Sequence, residues 1–115
     1  MLRVKRVYEP ASDEDGERVL IDRLWPRGLS RESARVDRWL KELAPSDALR
    51  RWFGHEPAKF PEFRERYRRE LEREGPVLRE LAARSRSGNV TLLYAARDRA
   101  HSNAAVLEEL LRGLS

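Results

Sequence analysis

Apolar residues predict a β-strand at three places along the chain. From Arg3 to Tyr8, one face would carry Val4 and Arg6 and the other Lys5 and Val7, as in a short, partly exposed strand. The segment from Arg18 to Leu24 contains the unbroken run Val19-Leu20-Ile21, and Val90 to Tyr94 forms a second apolar run. Unbroken runs of this length are typical of strands that are buried on both faces of a parallel sheet.

Apolar residues at helical spacing occupy most of the chain between and after these strands. Ser46 is suited to cap a short helix that ends at Gly54, and Ser12 with Asp15 predicts one capped helical turn. Arg27 to Arg35 is predicted as a loop, and residues 36–44 fit either a helix or a strand. Longer helices are predicted from about Pro57 to Arg73, from Pro76 to about Arg86, and from about Ser102 to Arg112.

The order of these elements predicts an α/β fold. Helices between Val36 and Arg86 separate the two apolar strands, as a crossover between parallel strands requires. We therefore expect a mostly parallel sheet of three to four strands, flanked by helices. A chain of 115 residues fits one domain, so we expect a single domain over residues 1–115.

Composition limits the classes of function. The chain is rich in arginine, with 24 basic against 20 acidic residues and a formal net charge of +4. Arginine suits bidentate binding of phosphate or carboxylate, although a GC-rich coding bias or surface ion-pair networks better explain the bulk of these arginines. The basic excess is too small and too interspersed with acidic residues to indicate nucleic-acid binding by itself.

The absence of certain residues and motifs narrows the chemistry further. The chain has no cysteine, and therefore no disulfide, thiolate nucleophile or cysteine zinc site. It has no apolar stretch near the roughly 20 residues of a membrane span and no signal-peptide pattern, so we expect a cytoplasmic protein without membrane contact. Two distant histidines and no glycine-rich nucleotide motif predict no metal and no cofactor.

The strand that ends near Leu24 is followed by a first group of candidate binding residues. Asp22 can act as a general base, and Arg23 and Arg27 can hold a phosphate or carboxylate. Trp25 offers a stacking surface, and Gly28 permits a sharp turn. The alternative is structural: Asp22 pairs with Arg23, and the tryptophan closes the end of the sheet.

A second candidate group follows the strand Val90 to Tyr94, where a helix N-terminus favours an anion. Its members are Tyr94, Arg97, Asp98, His101, Ser102 and Asn103. His101 can exchange a proton near neutral pH, whereas Ser102 is either an activated nucleophile or the helix N-cap. Because the carboxyl ends of parallel strands meet at one edge of a sheet, we expect both groups to border a single site.

Four sequence blocks resemble the YeaO-like branch of the "domain of unknown function 488" family. They are Arg18-Val-Leu-Ile-Asp-Arg-Leu-Trp-Pro-Arg-Gly-Leu-Ser30, Leu43-Ala-Pro-Ser46, Leu49-Arg-Arg-Trp-Phe-Gly-His55 and Thr91-Leu-Leu-Tyr-Ala-Ala-Arg-Asp98. The resemblance implies a compact cytoplasmic α/β domain and carries no established activity. The wider family often has Cys-His-Arg at the start of the last helix. By position this corresponds to Ser102, Asn103 and Ala104, so cysteine chemistry is not expected here.

The leading functional hypothesis is a small anionic-ligand site at the carboxyl edge of the sheet. Asp22 and His101 are its candidate proton-transfer groups, and hydrolysis or group transfer is an open alternative to binding alone. The rival hypothesis is a non-catalytic regulatory or nucleic-acid-binding domain. It rests on arginines along the helix at 57–73, although interleaved glutamates oppose phosphate binding there. The sequence assigns neither an oligomeric state nor an identified ligand.

Overall fold

In the computed structural model, which describes residues 1–114, four parallel strands form one sheet. The strands are β1 (Leu2–Arg6), β2 (Glu17–Leu20), β3 (Arg38–Trp39) and β4 (Val90–Tyr94). Their order across the sheet is β1-β4-β2-β3, so the two apolar runs occupy the centre. The predicted α/β class and parallel sheet are confirmed.

Helices follow and separate the strands. They are α1 (Arg31–Ala34), α2 (Asp47–Phe53), α3 (Phe60–Leu71), α4 (Gly75–Ser87) and α5 (Asn103–Leu114), with 3-10 turns at Asp13–Asp15, Lys41–Leu43, Pro57–Lys59, Glu72–Glu74 and Arg99–His101. Ser46 caps α2 through the Leu49 N–H, and Gly54 ends that helix in the left-handed region, as predicted. Across residues 1–114, none of the helices has both the length and the apolar character to span a bilayer.

One face of the sheet packs against the helices and forms the main core. Alternate strand residues such as Val4, Val19 and Leu92 meet apolar side chains of α2, α3, α4 and α5. Phe63 and Tyr67 bring the apolar stripe of α3 into this core and are almost completely buried. Each large apolar side chain that is buried in this way stabilises the fold by about 1.5–3 kcal/mol. For this reason apolar residues recur at helical spacing along the buried side of α3, and that spacing predicts the helix.

The opposite face carries a smaller core that the segment between β2 and β3 covers. Val7, Leu20 and Leu93 point to this side, where they contact Trp25 and Trp39. The two indole rings meet edge to face, with centroids 5.4 Å apart. This segment therefore closes the second face of the sheet in place of a long helix.

Three local predictions need correction. Regular strand pairing in β2 ends at Leu20, although the Ile21 N–H still donates to Leu93 O at 3.1 Å. The expected loop at 27–35 contains α1, which Ser30 caps through the Ser33 N–H; four residues are too few to show a helical period. The ambiguous segment 36–44 is neither one helix nor one strand, because it divides into β3 and a 3-10 turn.

A buried aspartate ties the loop before β2 to the second face of the sheet. Asp15 is 1% exposed and accepts hydrogen bonds from Lys5 Nζ, Arg18 Nη1 and the Ser12 N–H. Burial by itself would raise the pKa of Asp15, but these donors outweigh it and hold that pKa below its usual value. The capping turn predicted from Ser12 and Asp15 is therefore also an ion-pair centre.

We predict that Asp15→Asn lowers the free energy of unfolding by about 3 kcal/mol at pH 7, because it leaves the buried Arg18 and the partly exposed Lys5 without their carboxylate partner. The pKa of Asp15 is lower in the folded state than in the unfolded state, where it is about 3.9, so the ionised carboxylate stabilises the fold above that pH. This stabilisation is lost as the pH falls through the folded-state pKa of Asp15. The difference between wild type and variant should therefore shrink below about pH 4. Urea unfolding at several pH values measures this difference, with the exposed Asp13→Asn as control. Equal stability of the two variants at pH 7 would contradict the assignment.

Candidate functional site

The parallel pairing of β2 and β4 brings the two candidate groups to the same edge of the sheet. Val19 lies opposite Leu92 and Leu20 lies opposite Leu93, so both strands end at the same level. Asp22 then follows β2 and Ala95 follows β4, and the Asp22 carboxylate accepts the Ala95 N–H at 2.9 Å. The expected convergence of the two strand ends is therefore present.

Asp22 is held by hydrogen bonds on both carboxylate oxygens. Oδ2 accepts from the Ala95 N–H, and Oδ1 accepts from Asn103 Nδ2 at 2.9 Å. Asn103 Nδ2 also donates to Ile21 O at 3.1 Å, so this side chain joins the start of α5 to the end of β2. Burial raises the pKa of Asp22, while Asn103, the Ala95 N–H and the nearby His55 oppose that rise.

A cavity of about 400 Å³ opens above Asp22, between the helical layer and the segment after β2. Its volume lies within the roughly 300–1,000 Å³ of small-molecule sites. Apolar side chains from several elements line it: Trp25, Pro26, Pro45, Phe53, Phe63, Ala95 and Ala96. Asp22 is the acidic side chain among its lining residues, so the cavity combines an apolar wall with one carboxylate.

Three arginines and one histidine line the same cavity. Arg23, Arg27, Arg50 and His55 all contribute to its lining. Arg23 and Arg50 share Asp47, at 3.6 and 3.4 Å, and all three side chains are substantially exposed. Within residues 1–114, the Arg27 side chain has no hydrogen bond or ion pair. Exposed pairs of this kind are worth about 1 kcal/mol or less, so these guanidinium groups remain available to an anion.

A second, more open depression adjoins the first and shares Tyr8, His55, Ala95 and Ala96 with it. Arg97 and Asp98 line this second depression together with Arg6. The Arg6 guanidinium donates to the carbonyls of Ala95 and Ala96 and lies 5.1 Å from the Tyr8 ring. Arg97 and Asp98 thus lie at the predicted edge, beside the enclosed cavity and not in its wall.

The second candidate proton-transfer group, His101, lies outside both depressions. His101 Nδ1 is 2.7 Å from Asp98 Oδ2, and the ring packs edge to face against Phe60. The hydrogen bond from His101 lowers the pKa of Asp98. His101 and Asp22 therefore have separate partners, and neither is hydrogen-bonded to the other.

Three other candidate residues have clear structural roles. Ser102 is one of the residues that line the cavity, but it is only 2% exposed. Its Oγ donates to Arg99 O and accepts the Ala105 N–H, so it acts as the N-cap of α5. The Tyr94 side chain is buried in the main core, where burial raises its pKa. Gly28 adopts a φ of +77°, which a residue with a side chain rarely adopts, and it does not line the cavity.

Trp25 borders the cavity and also supports the fold. Its Nε1 donates to Leu29 O at 2.7 Å, and its ring packs against Trp39 and lies 5.0 Å from the Arg31 guanidinium. Trp39 in turn donates to the Asp22 carbonyl at 2.7 Å. The indole pair thereby fixes the backbone that carries Asp22, so the stacking and structural interpretations of Trp25 are compatible.

Some residues that line the cavity, such as Tyr8 and Arg50, are not among the candidates from the sequence. Asn103 is a candidate of the second group, yet only the structure reveals its hydrogen bond to Asp22. Tyr8 follows β1. The expectation that parallel strands end at one edge of the sheet, which was applied to β2 and β4, also predicts that Tyr8 lies at this edge. Arg50 comes from α2, and no local pattern shows that this helix reaches the sheet edge. Among residues 1–114, no group of three or more histidine or acidic side chains is arranged to hold a metal ion.

The fold and the cavity define the class: a small α/β domain with a cleft at the carboxyl edge of a parallel sheet. A family model described as "Inactive DUF488-N3 subclade" matches residues 1–114, and the chain belongs to this family. It is 46% identical over 112 residues to the uncharacterized protein Rv3073c of Mycobacterium tuberculosis, and the aligned region covers 97% of this chain and 94% of the relative. It is also 42% identical over 116 residues to the uncharacterized protein YeaO of Escherichia coli, and the aligned region covers 98% of each chain. No solved structure matches the chain significantly.

We predict that Asn103→Ala raises the pKa of Asp22 above its wild-type value, because the variant removes a hydrogen bond that favours the ionised carboxylate. The carboxyl ¹³C chemical shift of Asp22, followed against pH, measures this change. Asn89→Ala is the matched control, since the Asn89 amide donates to Glu14 O at a distant site. A pKa of Asp22 that stays constant or falls in Asn103→Ala would show that the hydrogen bond is not formed.

Proposed function

We propose that this domain binds a small anionic molecule in the cavity above Asp22 and acts by binding, without catalysing a reaction. One observation carries the proposal: an apolar cavity of ligand size bears three arginines, of which Arg23 and Arg50 share the single exposed carboxylate of Asp47. Arg27 has no ion-pair partner among residues 1–114, and the ion pair of Arg23 is exposed. An incoming anion therefore breaks only a weak ion pair when it binds these side chains. Arginine binds phosphate or carboxylate through two parallel N–H donors.

The arrangement of the polar side chains favours binding over catalysis. A nucleophile needs an adjacent base, and the Ser102 hydroxyl is engaged in capping α5. Asp22 and His101, the two candidate proton-transfer groups, have separate partners. The family description, an inactive subclade, agrees with a role in binding. Hydrolysis or group transfer therefore has less support than a regulatory or sensing function.

Nucleic-acid binding is the alternative function, and it depends on the arginines of α3. Arg64 and Arg68 contact Glu109, and Arg66 contacts Glu62. These acidic partners reduce the positive field that a phosphate backbone would meet. A steep loss of RNA or DNA affinity with added salt would favour this alternative, because binding to a polyanion releases counterions.

A cytoplasmic location is also part of the proposal. The chain contains no cysteine, and so it has no disulfide that would need an oxidising compartment.

We predict that Arg23→Ala and Arg27→Ala each raise the dissociation constant of an anion that binds the wild-type protein by about tenfold or more. The reason is that a hydrogen bond to a charged group contributes about 1.5–3 kcal/mol. Calorimetric titration with inorganic phosphate, pyrophosphate, citrate and nucleoside monophosphates provides the measurement. Arg69→Ala is the control, because Arg69 lies on α3 and does not line the cavity. If none of these anions binds, or if Arg69→Ala weakens binding equally, the proposal fails.

A further inference from the structure

The carboxylate within the cationic cavity restricts the kind of anion that it accepts. An anionic group placed against Asp22 would be repelled, so the negative part of the ligand must lie at the arginines. The part of the ligand that faces Asp22 must then offer hydrogen-bond donors. The cavity therefore selects a molecule with two chemically different ends.

We propose that the ligand is a guanine nucleotide, with its base edge on Asp22 and its phosphate at Arg23, Arg27 and Arg50. This inference rests on the proposed function of the same cavity. An ionised carboxylate is an acceptor only, with about four lone-pair positions. The Ala95 N–H and Asn103 Nδ2 use one position on each oxygen, which leaves one on each. Two adjacent donors match this arrangement, and guanine presents them as its N1–H and its 2-amino group.

The walls between the two ends of the cavity suit a flat ring. Trp25 contributes aromatic surface, and behind it the wall includes Phe53 and Phe63, which are only 4% and 2% exposed, while Ala95 and Ala96 leave room beside the end of β4. A ligand with only an anionic group, such as phosphate, would leave this apolar surface in contact with water. A purine ring would remove this surface from water, which favours binding of the nucleotide over binding of phosphate alone.

The mouth of the cavity also has apolar side chains that the protein itself does not cover. Leu24 is 63% exposed and Tyr8 is 41% exposed, and both line the cavity. The other large apolar residues with such exposure, within residues 1–114, are Met1 and Leu114 near the chain ends. Away from the ends of the described chain, the large exposed apolar residues are therefore both at the cavity, where a bound nucleotide would cover them.

A series of ligands tested on the wild-type protein examines this inference without any mutation. Calorimetry would compare guanosine 5′-monophosphate, inosine 5′-monophosphate, adenosine 5′-monophosphate, guanosine, inorganic pyrophosphate and free arginine. We expect the guanine nucleotide to bind tightest. The inosine nucleotide lacks the 2-amino group, and the adenosine nucleotide lacks both the N1–H and the 2-amino group, so each should bind at least about fivefold more weakly. Guanosine should also bind more weakly, because it lacks the phosphate.

Asp22→Asn provides the matching test on the protein, with Asp13→Asn as a control for the lost charge. We expect the preference for guanine over adenine to disappear in Asp22→Asn and to persist in Asp13→Asn. If Asp22→Asn does not fold, the comparison of guanine, inosine and adenine nucleotides on the wild type still decides the question.

The remaining outcomes separate this inference from the proposed function. Equal affinity for all nucleotides and for pyrophosphate would overturn base recognition and leave anion binding intact. Free arginine binding more tightly than the guanine nucleotide would overturn the nucleotide assignment, because its guanidinium also presents adjacent N–H donors. Absence of binding by every compound would overturn both proposals.

Discussion

The hydrogen bond between the Asp22 carboxylate and the Ala95 N–H is the interaction on which the site depends. It joins the ends of the two central strands, and the second oxygen of Asp22 extends the link to Asn103 at the start of α5. The parallel register of β2 and β4 makes this contact possible, because it brings both strand ends to one level. The cavity, its arginines and its apolar wall are all arranged around this fixed carboxylate.

The same arrangement explains why binding is better supported than catalysis. A carboxylate that holds two strand ends and a helix together is a poor mobile base, since proton transfer would weaken the contacts that position it. The raised pKa of Asp22 reflects the cost of keeping a charge in this enclosed place. The fold tolerates that cost, and a ligand with N–H donors would offset part of it. The arginines lie on exposed segments, where their positions can adapt to an anion.

The sequence predicted the features that depend on local patterns and missed those that depend on tertiary contacts. The apolar runs of β2 and β4, the α2 cap at Ser46 and the common edge for Asp22 and Ala95 follow from periodicity and from the geometry of parallel sheets. The contribution of Arg50 to the cavity depends on how α2 packs, which no local pattern records. His101 and Ser102 lie in the expected turn, but the direction of each side chain depends on its partners, Asp98 and the Ala105 N–H.

The most direct measurement is an NMR titration of the protein with guanosine 5′-monophosphate, followed through amide signals. If the ligand lies against Asp22, the backbone signal of Ala95 and the side-chain amide signals of Asn103 should move together along one binding curve. Amide signals of α4, whose residues do not line the cavity, should stay in place. Unchanged Ala95 and Asn103 signals at saturating ligand, or larger changes in α4 than at the strand ends, would contradict the account.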